Sequence, residues 1–218
     1  MKQSELRTRI AEALDDADNI FWSETQLNRS IDEAAQVIAE ECHTVRRSAH
    51  FSLRQGTTFY WLASIAQDIM IPYRLFSMTD NRRLTATSIN ELDQHDENWL
   101  VTSGPPQVWF PVSWDYFGVY PRTVTAGGLV YMDYIAWPRD LLDDDDEPEV
   151  PEASNEALTW FGIYEGHLKQ WDAHNAVQFL TQFLELQQKN KARSGINRVQ
   201  ERSFHRTGVN FPSMIRGG

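Results

Sequence analysis

Ser23-Glu24-Thr25-Gln26 stands directly before apolar residues that recur every three or four positions, at Leu27, Ile31, Ala34, Ile38, Cys42 and Val45. A Ser followed three residues later by Gln is a capping box, which satisfies free backbone N–H groups where a helix begins. Apolar residues at this spacing lie on one face of a helix. The stretch therefore predicts an amphipathic helix over residues 24–46, which must bury its apolar face against other elements.

Three more stretches have helical spacing. They cover residues 5–15, with Ser4 as the expected N-cap, residues 153–170, and residues 173–193, which Gly195 ends. Because neither the N-terminal nor the C-terminal pair can bury its apolar stripe alone, we expect them to pack as one antiparallel bundle.

The middle of the chain has a different pattern. Short aromatic or β-branched runs separated by Gly, Pro, Asp and Asn predict strands around residues 50–53, 58–62, 73–76, 108–112 and 129–135. A second capping box, Ser88-Ile89-Asn90-Glu91, predicts a short helix that ends near Trp99.

The predicted fold class is therefore α+β: an antiparallel helical bundle from the N- and C-terminal helices, with a β-rich middle insertion and an extended C-terminal tail. The predicted domain boundaries are residues 1–48 and 141–194 for the bundle, 49–140 for the insertion and 195–218 for the tail.

Composition excludes several classes of protein. The 218 residues are 41% hydrophobic and 23% charged, with a net charge of −11, which is typical of a globular chain that does not bind nucleic acid through its whole surface. The single cysteine, Cys42, excludes a disulfide framework and multi-cysteine metal sites. No apolar run is long enough to span a membrane, and the first residues lack the apolar core of a signal peptide.

Charge is unevenly distributed along the chain. Residues 140–157 carry nine acids and no Lys or Arg, whereas residues 189–218 carry seven basic residues and one acid. The run Asp143–Asp146 lacks the Gly of a calcium-binding loop, so we expect a solvated acidic connector.

No catalytic or cofactor motif is present. The six His residues show no metal-ligand spacing, Cys42 lies on an apolar helix face, and Gly-rich phosphate loops are absent. We therefore predict no enzymatic activity, no cofactor and no metal. A hydrolase that uses two of the many carboxylates is the enzymatic alternative.

Aromatic residues are concentrated in the β-rich middle. Either alternate rings line a small core while the others meet a partner protein, or the rings form a carbohydrate-binding platform. The rings are Trp109, Phe110, Trp114, Tyr116, Phe117, Tyr120, Tyr131, Tyr134 and Trp137.

The tail has no apolar period of its own. Its 24 residues span about 80 Å when extended at about 3.3 Å each. Three alternatives stay open for it: a solvated tail, docking into a protein groove, and contact with nucleic acid. The candidate contacts are basic residues four positions apart and three apolar anchors, namely Arg198, Arg202 and Arg206 with Phe204, Phe211 and Ile215.

An ordered series of motifs over residues 5–190 resembles the head-to-tail adaptor, or connector, proteins of short-tailed bacteriophages. The motifs are Phe21-Trp22-Ser23-Glu24-Thr25-Gln26-Leu27-Asn28, Thr58-Phe59-Tyr60-Trp61-Leu62, Ile71-Pro72-Tyr73-Arg74-Leu75, Leu92-Asp93, Trp99, Gly104-Pro105-Pro106, Trp109, Tyr120-Pro121, residues 137–148 and residues 158–164. One departure is Trp61-Leu62-Ala63, where such proteins have a Pro near the strand end.

The resemblance implies a non-enzymatic structural protein of the virion neck, assembled in the host cytoplasm. Its implied partners are the portal protein, a tail or nozzle protein and neighbouring copies of itself in a ring, about twelve to match the portal, with DNA passing through the lumen. It further implies that the C-terminal segment, with the six contacts named above, docks onto the portal. A glycan-binding tail module built on the aromatic middle is the alternative function.

Overall fold

The computed structural model describes residues 1–18 and 20–194, with the backbone alone at 193 and 194. The described residues of the chain form two compact units. The helical unit comprises Met1–Arg46 together with the described residues from Ala136 onward, and the β unit comprises Arg47–Ile135.

The helical unit contains four α-helices: α1 Gln3–Ala13, α2 Glu24–Cys42, α4 Asn155–Lys169 and α5 Ala173–Ser194. The capping box at the start of α2 is confirmed, since the Ser23 hydroxyl accepts from the backbone N–H of Gln26. This helix ends earlier than predicted because His43 adopts a left-handed conformation (φ 50°), which stops the helical hydrogen bonds. Its apolar stripe is buried, as predicted, against side chains from α1, α4 and α5.

The start of α1 differs from the prediction. Its N-cap is Lys2 and not Ser4, and the first backbone N–H groups of the helix donate to the acidic segment. Gln3 donates to the carbonyl of Asp146 at 2.8 Å, and Ser4 donates to that of Asp144 at 3.2 Å. The segment predicted to be a solvated connector therefore lies on the helix N-terminus, where negative charge is favourable.

The β unit is a curled seven-stranded mixed sheet with one helix. Its strands are β1 Arg46–Ser52, β2 Phe59–Trp61, β3 Ile69–Ser77, β4 Arg82–Ala86, β5 Val108–Pro111, β6 Tyr116–Tyr120 and β7 Leu129–Ala136, and its helix is α3 Ile89–His95. The strand order is β1-β7-β3-β4-β5-β6-β2, so β1 and β2 are the two edge strands.

The predicted fold class, an antiparallel helical bundle with a β-rich insertion, was wrong. The described residues form five helices and the seven-stranded sheet, which is a major element with a core of its own. The physical reason is that the short runs of the middle pair with one another in a single seven-stranded sheet. In this sheet β4 and β5 lie parallel, so α3 is the crossover of a β-α-β unit.

Candidate docking surfaces

The nine aromatic residues singled out in the β-rich middle divide by burial. Most lie in the interior: Trp109, Phe110, Phe117, Tyr120 and Tyr134 are each at most 4% exposed. Trp114, Tyr116 and Trp137 are exposed, at 83%, 44% and 39%, and Tyr131 is half-buried. The prediction that part of this set lines a core is therefore confirmed, and only a minority of the rings is free to meet a partner.

The exposed rings of the β unit gather at one end of the sheet. Trp61 of β2 pairs directly with Tyr116 of β6, which places both side chains on the same face. Trp114 lies in the turn between β5 and β6, next to the exposed Val112. We call these four residues the aromatic edge. Three of them, Val112, Trp114 and Tyr116, border an apolar groove of about 430 Å³ that also contains Leu62, Met70 and Ile71. Apolar groups at such density on a surface are typical of a protein-binding site.

A second cleft, of about 850 Å³, lies where the two edge strands of the curled sheet approach each other. Residues of β1 and β2 both line it, with the loop between them at one end, and we call it the seam cleft. The ring of Phe51 lies 5.5 Å from that of Tyr60 and 5.6 Å from that of Phe117. These three buried rings fill the sheet interior beneath the seam.

The helical unit has an exposed apolar end of its own. Trp171, between α4 and α5, is 94% exposed and has a left-handed backbone (φ 61°). Nearby, Lys169 hydrogen-bonds to the carbonyl of Phe21, a residue that is 51% exposed, and Leu168 is 47% exposed. We call Phe21, Leu168, Lys169 and Trp171 the helical corner. A nearly free Trp in a sparsely populated backbone conformation is costly, and such features occur where a surface is used.

The acidic segment of the helical unit is held by ion pairs. Arg7 Nη1 lies 2.7 Å from Asp144 Oδ1, and Lys2 Nζ lies 2.7 Å from Asp145 Oδ1. The Arg7 hydrogen bond holds the pKa of Asp144 below its usual range. Asp146 accepts the backbone N–H groups of Asp143 and Leu142, which lowers its pKa as well. The segment is thus a structured acidic surface, with the exposed Leu142 at its edge.

Titratable groups in the described residues bear on the enzymatic alternative. Burial raises the pKa of Glu165, and the nearby Glu33 adds to the effect, but neither residue lines the groove or the seam cleft. In the β unit, burial and the hydrogen bond to Asp96 raise the pKa of Tyr120 to about 12. Across residues 1–18 and 20–194, no group of three or more His, Cys, Asp and Glu is placed to hold a metal ion.

The six residues predicted to bind the portal lie outside the described residues: Arg198, Arg202, Phe204, Arg206, Phe211 and Ile215. Sequence reasoning missed the helical corner. Leu168, Val177 and Leu184 fit the apolar spacing of residues 153–170 and 173–193, which favours burial, yet all three are exposed. The signal that could have located the corner is Trp171, an aromatic residue at a break between two helical patterns.

Two comparisons with known proteins complete these findings. A family model described as SU10 adaptor protein matches residues 1–208. No curated protein gives a significant match to the chain. Within residues 1–18 and 20–194, none of the helices combines the length and the apolar character needed to cross a bilayer.

Proposed function

The chain belongs to the SU10 adaptor family of phage proteins, and from that premise we propose that its copies form a ring that joins the portal to the tail of the virion. The match over residues 1–208 carries this proposal. The proposed partners are the portal protein, a tail or nozzle protein and neighbouring copies, about twelve to a ring as the resemblance implies. We place the ring in the neck of the virion and its assembly in the host cytoplasm.

Exposed apolar surfaces support a role in assembly. The aromatic edge belongs to the β unit and the helical corner to the helical unit, so each unit offers a surface of its own. Exposed Trp and Tyr are favoured at protein interfaces because they bury a large area at little cost in side-chain entropy. An adaptor in a ring needs several such contacts: with its neighbours, with the portal and with the tail.

The charge distribution supports a DNA channel. Residues 1–46 and 136–194 together carry ten Lys or Arg and 22 Asp or Glu, whereas residues 47–135 carry six and eight. Most of the negative charge of the chain is therefore in the helical unit. Acidic side chains facing a lumen would repel the phosphate backbone and let DNA pass without specific binding, whereas a basic wall would hold it.

We assign portal docking to the C-terminal segment, through the three arginines and three apolar anchors predicted above. The direct experiment mixes the purified full chain with purified portal rings and images the complexes by electron microscopy. We expect a ring of adaptor copies on one face of each portal ring. The net charge of −11 opposes association of the free copies, so sedimentation without the portal should show mostly monomer. Failure to bind the portal would overturn the proposal, and a stable ring without it would overturn portal-dependent assembly.

We propose no enzymatic activity for the chain. The second candidate function is glycan binding by the β unit. The pairing of the exposed Trp61 with Tyr116 favours this candidate, because two rings on one face can stack against sugars. A glycan array probed with the full chain and with Trp61→Ala tests it. If the full chain binds a glycan and Trp61→Ala abolishes this binding, the glycan-binding function is favoured. If no glycan binds, only the adaptor role is left.

A further inference from the structure

The seam cleft has the properties of a site for an added β-strand. Because β1 and β2 stand at the two ends of the strand order, each has one side without a partner strand in the described sheet. Both strands line the same cleft, whose volume of about 850 Å³ lies within the range of ligand-binding pockets, about 300–1,000 Å³. An edge strand offers a row of backbone donors and acceptors, and an extended peptide can pair with it.

Side chains around the seam cleft suit an extended peptide with alternating residues. Phe59 and Trp61 of β2 are 42% and 50% exposed and both line the cleft, with Tyr116 beside them. Phe59 and Trp61 are two positions apart in a strand, so they lie on the same face. A peptide strand beside them would place alternate apolar side chains against these rings.

The charge of the side chains that line the seam cleft favours an acidic occupant over a basic one. His50 and Arg54 line it, and no Asp or Glu is among its lining residues, although the chain as a whole is strongly acidic. The Arg54 guanidinium forms no ion pair within the part of the chain that the structure describes, and the residue is exposed. Residues 195–218 contain four Arg and one Glu, so the chain's own basic tail is a poor electrostatic match.

We propose that the seam cleft receives an extended acidic segment of another virion protein, which pairs with β1 and places a carboxylate at Arg54. Arg binds carboxylates through two parallel hydrogen bonds, which would fix the register of the added strand. The inference rests on the family assignment to a phage virion and on the β unit alone; it does not require ring formation or portal docking by the tail.

Photo-crosslinking in assembled virions tests the proposal. Benzoylphenylalanine is introduced at position 55 or at position 64, because Gln55 and Ser64 are exposed residues that line the cleft. A third variant carries it at position 94 as a control. Gln94 is an exposed residue of α3 that does not line the cleft. After irradiation, mass spectrometry identifies the crosslinked peptides. We expect positions 55 and 64 to reach one Asp- or Glu-containing segment of a second protein, several residues apart along it, and position 94 not to reach that segment.

Arg54→Glu is the second arm, with Arg83→Glu as its matched control. Both are exposed arginines of the β unit. Arg54→Glu should lower the crosslink yield about tenfold or more, whereas Arg83→Glu should leave it unchanged. Equal melting temperatures would show that both variants fold. If Arg54→Glu does not fold, Arg54→Gln takes its place. Crosslinks from the cleft to residues 195–218, to DNA or to nothing would overturn the proposal, as would a yield insensitive to Arg54. If instead the proposed function were wrong, the protein would be absent from the virion or would not bind the portal.

Discussion

The ammonium group of Lys169 lies 3.8 Å from the centroid of the Trp22 ring. The same nitrogen donates to the carbonyl of Phe21 at 3.1 Å and to Oε1 of Gln26 at 2.9 Å. Since Lys169 is the last residue of α4 and Gln26 lies in the first turn of α2, one side chain joins the ends of two helices. A cation over the face of Trp is attracted by the charge distribution of the ring.

Lys169→Met keeps most of the length and apolar surface of the side chain but removes its charge and hydrogen bonds. We expect a loss of about 0.5–2 kcal/mol in the free energy of unfolding, the range for a cation–π contact between exposed and desolvated sites. Denaturant unfolding measures it. Lys189→Met, at an exposed position of α5, is the control and should stay within about 0.5 kcal/mol of the parent. Equal stability of the two variants would contradict the assigned contact.

Gly118 of β6 allows two phenylalanine rings to meet across the sheet. It pairs with Phe110 of β5 on one side and with Phe59 of β2 on the other, and the two ring centroids are 6.3 Å apart. A Cβ at position 118 would stand 2.2 Å from the Phe110 ring, which is fully buried and cannot move aside. Gly118→Ala should therefore destabilise the chain by about 1–3 kcal/mol or more, as overpacking of a core does.

The control for this substitution is Gly104→Ala. A Cβ at that position would meet its neighbours only at ordinary contact distance, 3.6 Å or more. Thermal unfolding of the two variants should separate them clearly, with the melting temperature lowered in Gly118→Ala alone. A tolerated Gly118→Ala would show that the ring of Phe110 does not lie over this position.

The sequence predicted the elements whose own residues carry the signal. The apolar residues spaced three or four apart after Ser23 predicted α2, and the capping box at Ser88 predicted α3, because both helices begin at a residue whose side chain caps them. Two strands, β4 and β6, were not predicted because their sequences lack a clear strand pattern. β4 has a single fully buried residue, Leu84, and β6 is interrupted by Gly118, whose role depends on Phe110 in another strand.

Strand pairing and side-chain exposure could not be predicted from local sequence patterns. Nothing in residues 87–107 indicates that β4 and β5 lie parallel. Nor do the separate short runs indicate that seven strands join in one sheet, which is the finding that overturned the predicted fold class. Likewise, Val177 and Leu184 continue the apolar period of α5 yet are 62% and 45% exposed, because the neighbouring helices cover only a narrower face. An apolar stripe indicates which residues favour burial, and tertiary packing decides which of them achieve it.

Cys42 should be unreactive in the folded chain. Its side chain is 1% exposed, Sγ lies 3.7 Å from the carbonyl oxygen of Gln187, and burial raises the pKa of the thiol. The thiolate is the reactive form, so both exclusion from solvent and the raised pKa slow attack. A thiol reagent at pH 8 should label the native chain far more slowly than the chain in guanidinium chloride. Equal rates would contradict burial at this position.

Two carboxylates should affect the pH dependence of stability in opposite directions. The pKa of Asp144 is lowered by Arg7, so its contribution is present above its ordinary pKa and is lost as the pH falls through the lowered value. The pKa of Glu165 is raised by burial, so it costs stability once the pH rises through the raised value. Asp144→Asn should therefore lower stability at pH 7, and Glu165→Gln should raise it; unfolding from pH 3 to 8 measures both. The same sign for both would contradict the assignment.

The portal-docking role of residues 195–218 makes a prediction about which contacts matter. Each apolar anchor that becomes fully buried contributes about 1.5–3 kcal/mol, whereas an exposed ion pair contributes less than about 1 kcal/mol. Phe204→Ala with Phe211→Ala should therefore weaken portal binding more than Arg198→Ala with Arg202→Ala. For the same reason, raising the salt concentration should reduce binding only modestly.

Deletion of residues 195–218 separates docking from folding. The hydrophobic core of the helical unit is built from residues before 195, so the truncated chain should keep nearly the full melting temperature while losing portal binding. Sedimentation with portal rings measures binding, and calorimetry measures folding. If the truncated chain still binds the portal with unchanged affinity, the anchor lies elsewhere, and the helical corner becomes the next surface to test through Trp171→Ala. If the full chain instead binds DNA with a steep salt dependence that deletion abolishes, the segment contacts nucleic acid, because release of counterions from phosphate produces that dependence.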